Sequence, residues 1–185
     1  TTSSATSGAM ASNEMWIYDT KPTVSLNSSS PSGSANPNSA GEVFKFDVSA
    51  ANTGFDVSVN TIRFTINVNS TGTIFAKTFS LYKSTDLTTN LGSGTSAGLG
   101  GTQNDNTATA GYVVIYPSSA AVVGAGSSAT YILKGDTSAM NKNALSGDTL
   151  AISIADGDFY WDDGTTVSGN QKVLNLPVTG GTLSY

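Results

Sequence analysis

The chain has 185 residues, with no His, no Cys and a single Arg, Arg63. Only 11% of it is charged and the net charge is −5, where an average soluble domain is about 25% charged. Ser-His, Cys-His and His-metal chemistry are therefore excluded for want of the side chains, and nucleic-acid binding for want of clustered Lys and Arg.

Carboxylate-pair hydrolysis stays formally open, because Asp and Glu total 13. Eleven of these are Asp, a residue that serves turns more often than acid catalysis, so the chain reads as no enzyme. Ser and Thr replace charge on the surface, as is common in secreted β-proteins. No apolar run approaches the ~20 residues that cross a bilayer, so no transmembrane segment is expected. The polar start, Thr1 to Ser4, lacks the charged and apolar regions of a signal peptide and fits a processed, mature N-terminus. A secreted, extracellular or cell-surface protein is expected, and its length can bury a core without disulfides.

Residues Thr1 to Asn13 are small and polar, and Met15 to Tyr18 is a bulky run in which both faces should be covered. Alternation then predicts strands over Pro22–Asn27 and Val43–Val48, after a Ser/Pro/Asn/Gly loop from Ser28 to Ala40. The stretch Val57–Val68 changes parity at Asn60-Thr61: Val57 and Val59 fall on one phase, and Ile62, Phe64, Ile66 and Val68 on the other. One residue out of phase predicts a β-bulge or a strand passing between sheets. Further strands are expected at Ile74–Tyr82, Tyr112–Tyr116, Ala129–Lys134, Thr149–Ile154 and Thr182–Tyr185. Asn90 to Thr107 reads as a mobile Gly- and Asn-rich loop, and Ser138–Lys142 as one helical turn. Eight to ten short strands without a long amphipathic helix describe an all-β, immunoglobulin-like β-sandwich at residues 21–185, with residues 1–20 as an extended N-terminal strand.

Four segments carry a resemblance: Lys21-Pro-Thr-Val-Ser-Leu-Asn-Ser-Ser-Ser-Pro-Ser-Gly33, Glu42–Ala50, Leu133-Lys-Gly-Asp-Thr137 and Asn175–Tyr185. Together they resemble a module of predicted surface proteins from small uncultivated bacteria of the candidate phyla, over roughly residues 15 to 185. The resemblance implies an exported β-sandwich with no catalytic activity to carry over. The layout also resembles filament-forming, pilin-like surface proteins in which one sandwich bears a protruding N-terminal strand.

Four local patterns have two readings each. Asp156, Asp158, Asp162 and Asp163 could supply oxygens to Ca²⁺, which takes six to eight. They lack EF-hand spacing and a closing Glu, and the other reading is two Asp-Gly turns around an aromatic strand. Phe159-Tyr160-Trp161 either packs in the core or offers a ring to a sugar. Asn27-Ser-Ser and Asn69-Ser-Thr are glycosylation sequons at strand ends, in a chain where such triplets also arise by chance. Leu176-Pro-Val-Thr-Gly180 matches a sortase signal, but reads as a turn into the last strand.

The leading functional expectation is a protomer of an extracellular filament or surface array. The donor strand would be the N-terminal segment, with Ala9, Met10, Ala11, Met15, Trp16, Ile17 and Tyr18 entering a neighbouring subunit. Donor and acceptor surfaces differ, so such a contact propagates as a homopolymer. The alternative is an adhesin or carbohydrate-binding module whose partners are glycans.

Overall fold

Alternating apolar residues build the longer strands of this chain, because successive side chains of a strand point to opposite faces. The computed structural model describes residues 19–69, 78–97, 108–138, 140, 147–164 and 173–185. Among them there is no helix, and thirteen strands follow in order. They are β1 (Pro22–Leu26), β2 (Gly33–Ser34), β3 (Gly41–Ala50), β4 (Val57–Asn69), β5 (Thr78–Lys83), β6 (Gly92–Thr95) and β7 (Ala108–Ile115). Then come β8 (Val122–Val123), β9 (Ser128–Gly135), β10 (Thr149–Ile154), β11 (Phe159–Asp162), β12 (Val178–Thr179) and β13 (Leu183–Ser184). The count exceeds the eight to ten expected because β6 falls in a stretch expected as loop, and the two-residue pieces β2, β8 and β12 carry too little pattern to be read from sequence. The donor-strand residues Ala9 to Tyr18, and most of the expected Ser138–Lys142 turn, lie outside the described residues.

The strands form two sheets. The first is antiparallel in the order β1-β3-β9-β5-β6. The second is organised around β4, which pairs with β7 over residues 62–69 and with β10 over residues 65–69, on opposite sides. Its first half pairs with β8 and β11, and the sheet continues from β10 to β12, β13 and β2.

The parity change in β4 is a bulge. Tyr160 pairs with Thr61 and Trp161 with Val59, so Asn60 is the additional residue. The bulge lets Val57 and Val59 face inward together with Ile62, Phe64, Ile66 and Val68. A second bulge lies in β3, where Glu42 pairs with Lys134 and Phe44 with Leu133. It buries Val43 beside Phe44, although simple alternation would turn one of them out.

The inner faces of both sheets share one core. Phe64 of the second sheet meets Phe44 and Phe46 of the first edge-on, with centroids 6.2 and 5.9 Å apart. Tyr131 stacks on Phe46 at 5.5 Å. Its hydroxyl is buried with no hydrogen-bond partner among the described residues, and that desolvation pushes its pKa above the ordinary tyrosine value. Trp161 and Phe159 are fully buried, which answers the aromatic run: two of its three rings belong to the core.

The sandwich is stitched along both sides. On one, the chain leaving β6 crosses to the second sheet, where Ala97 and Tyr112 exchange main-chain hydrogen bonds of 2.8 and 2.9 Å. On the other, Leu174 bonds Pro22 and Val24 of β1 at 3.2 Å, shortly before β12 joins β10. The turn between them, through Asn175 at φ 66° and Pro177, carries the sortase-like sequence into the last strands.

Within Asn90–Thr107 the expectation of a loop is corrected: Gly92–Thr95 is a strand of the first sheet. Its glycines reflect close approach. A Cβ on Gly92 would lie 2.8 Å from the Tyr116 carbonyl oxygen, and one on Gly94 would collide with the Val114 carbonyl and sit 2.7 Å from Val113 Cγ2. Gly94→Ala is therefore expected to destabilise the fold by about 1–3 kcal/mol, read as a lower urea midpoint. An unchanged midpoint would contradict the contact between β6 and β7.

Candidate functional site

On the outward face of the second sheet the same alternation that fills the core presents a different set of side chains. Ile62 and Phe64 point in, so Thr61 and Arg63 point out. Val113 and Ile115 point in, so Tyr112, Val114 and Tyr116 point out; Phe159 and Trp161 point in, so Tyr160 points out. Pairing brings them together, with Arg63 opposite Val114, Thr65 opposite Tyr112 and Tyr160 opposite Thr61. Thr61, Arg63, Val114, Tyr116, Asp158 and Tyr160 line a shallow hollow of about 340 Å³.

Arg63 is the centre of this face. Its guanidinium lies 4.3 Å from the centroid of the Tyr112 ring, a cation–π contact that fixes the plane of the group. Its Nη1 is 3.8 Å from Asp158 Oδ1, beyond hydrogen-bond length, so each keeps donor or acceptor capacity for a third group. The main chain holds the two residues in place through a 2.9 Å bond from Arg63 N to Asp158 O. Arg63 is about half exposed, Tyr112 is 38% exposed and Tyr116 71%. A fixed cation, a carboxylate and tyrosine rings are groups that can hold a ligand; among the described residues lining the hollow, none pairs a nucleophile with a base.

The Asp cluster is distributed by the structure. Asp158 faces Arg63, Asp162 Oδ1 accepts the Gly164 N–H at 2.6 Å, Asp156 is exposed and Asp163 is buried. Among the described residues, no three acidic side chains gather as a metal would require. The turn reading fits Asp162, whose carboxylate caps the turn after β11, as Asp86 caps Thr88 and Asp136 caps Ser138, each at 3.0 Å. Hydrogen bonds from the Thr88 and Ser138 side chains hold those two carboxyls below the usual range.

Asn27 is likewise engaged. Its Nδ2 donates to both Asp47 oxygens at 2.9 and 3.0 Å, and its Oδ1 accepts from Ser29. Asn69 ends β4, with its Oδ1 buried and unpartnered among the described residues.

Sequence reasoning noted Arg63 only as the sole arginine and passed over Tyr112 and Tyr116. The signal was present: in Tyr112-Val-Val-Ile-Tyr116 both tyrosines share the parity opposite to Val113 and Ile115. A comparable hollow of about 350 Å³ beside Val122–Gly124 is less available, since Lys83 Nζ already donates to Val122 O at 2.9 Å.

No protein-family model matches the chain, and no curated protein matches it. A solved structure described as "AvmM Catalyzes Macrocyclization in Alchivemycin A Biosynthesis" aligns with 90% of this chain and 87% of its own, at 9% identity and a TM-score of 0.32. A likeness this low carries no argument about activity.

Proposed function

We propose that this chain is a non-catalytic surface module that binds glycans on the outward face of its second sheet, in the manner of an adhesin or carbohydrate-binding domain. The observation that carries the reading is the exposed Tyr116 ring beside Arg63, which Tyr112 and Asp158 hold in place. An exposed aromatic face with polar groups at its border is the chemistry that stacks a sugar ring and bonds its hydroxyls. Secretion to the cell surface, expected from composition, belongs to the same proposal.

Assembly into filaments by strand donation is a second reading, favoured by a separate observation. Edge strand β1 carries no charged side chain, and Leu174 of the same chain occupies its outer side at Pro22 and Val24, so a donated strand would meet the edge beyond Val24. Such an edge lacks the charge that usually blocks strand addition.

For the binding reading, wild-type protein is expected to be retained on a glycan array, with Tyr116→Ala and Arg63→Ala each weakening retention at least tenfold. Retention on no glycan, or retention indifferent to both substitutions, would contradict it. For the filament reading, electron micrographs should show polymers that disappear when residues 1–13 are deleted. Filaments of unchanged diameter from the shortened chain would contradict strand donation.

A further inference from the structure

Resting on the binding reading above, we infer that the hollow between β4, β7 and β11 takes a neutral hexopyranose unit of a polysaccharide and rejects anionic glycans. The argument begins with charge. Arg63 is the sole arginine of the chain, and none of the described lysines lines the hollow. Asp158 stands 3.8 Å from the guanidinium and offsets its charge. Around this balanced pair the molecule carries a net charge of −5. A uronate or sulfated sugar would meet one compensated cation, a nearby carboxylate and a repulsive long-range field. A neutral sugar meets none of these penalties.

Hydrogen-bonding capacity points the same way. A sugar hydroxyl is both donor and acceptor, so it can accept from Arg63 and donate to Asp158 at once. The separation of the two charged groups exceeds a direct hydrogen bond, which leaves donor capacity on Arg63 and acceptor capacity on Asp158 for such a hydroxyl. A carboxylate or sulfate on the ligand can only accept, so it satisfies Arg63 and leaves Asp158 facing a like charge.

The rings supply the remaining contact. Tyr116 is 71% exposed, and it borders the same hollow as the half-buried Tyr160 and Val114. The C–H-rich face of a pyranose can stack there. Tyr112 stays beneath Arg63, so its part is to position the guanidinium and not to touch the sugar.

The test is titration calorimetry of the full chain at low salt. The probes are neutral hexasaccharides (a β-glucan, a mannan and a galactan) and an oligogalacturonate of the same length. Binding of at least one neutral hexasaccharide is expected, with the oligogalacturonate at least tenfold weaker. Tyr116→Ala and Asp158→Asn should each reduce neutral binding tenfold or more, while Tyr116→Phe, which keeps the ring, should retain it. Circular dichroism checks that each variant is folded.

Preference for the oligogalacturonate, or neutral binding unchanged by Asp158→Asn, would overturn the inference yet leave glycan binding standing. Binding of neither class, or neutral binding untouched by Tyr116→Ala, would overturn the binding reading itself and the inference with it.

Discussion

The whole arrangement depends on one strand and the single additional residue within it. β4 is thirteen residues long and pairs with β7, β8, β10 and β11, so four strands take their position from it. A strand of that length has one side-chain parity. Without correction, an apolar phase that suits Ile62 to Val68 would turn Val57 and Val59 outward. The bulge at Asn60 absorbs the mismatch and keeps both halves facing the core.

The same bulge governs what the molecule shows to its surroundings. Because Thr61 follows it directly and pairs with Tyr160, the parity that sends Ile62 and Phe159 inward sends Thr61, Arg63 and Tyr160 outward. The core and the Arg63 face are two sides of one register. The aromatic contact of Phe64 with Phe44 and Phe46 then fixes the two sheets to each other, and the glycines of β6 let the sandwich close along its other border. A face positioned by a continuous strand is more rigid than one carried on loops, which suits binding without rearrangement.

Most of the fold was legible because its signal is local. Thr149–Ile154 is a strand over the expected residues, and the parity change at Asn60 announced its bulge. What stayed hidden depended on partners remote in sequence. Gly92–Thr95 has the composition of a loop, and only contact with Val114 and Tyr116, some twenty residues away, shows why glycine is needed there. Val43 is buried because the β3 bulge lies against β9, which its own alternation could not reveal. The site was legible in part: the parity of Tyr112 and Tyr116 was readable, but not that pairing would set Arg63 between their strand and Asp158. The Asp run suggested an ion because composition counts carboxylates without saying where each one points.

The central claim, that the bulge at Asn60 brings both halves of the strand onto one inward phase, is tested most directly by comparing urea unfolding after deletion of Asn60 and after deletion of Thr65. Without Asn60, Val57 and Val59 fall on the same phase as Ile62, Phe64, Ile66 and Val68, so the chain should stay folded with every one of them inward. Deletion of Thr65 turns Ile66 and Val68 to the opposite phase from Ile62 and Phe64, with a predicted loss of roughly 3 kcal/mol or more, from about 1.5–3 kcal/mol for each apolar side chain returned to water, or failure to fold. A Thr65-deleted chain with the wild-type midpoint and slope, or an Asn60-deleted chain that fails to fold, would contradict it.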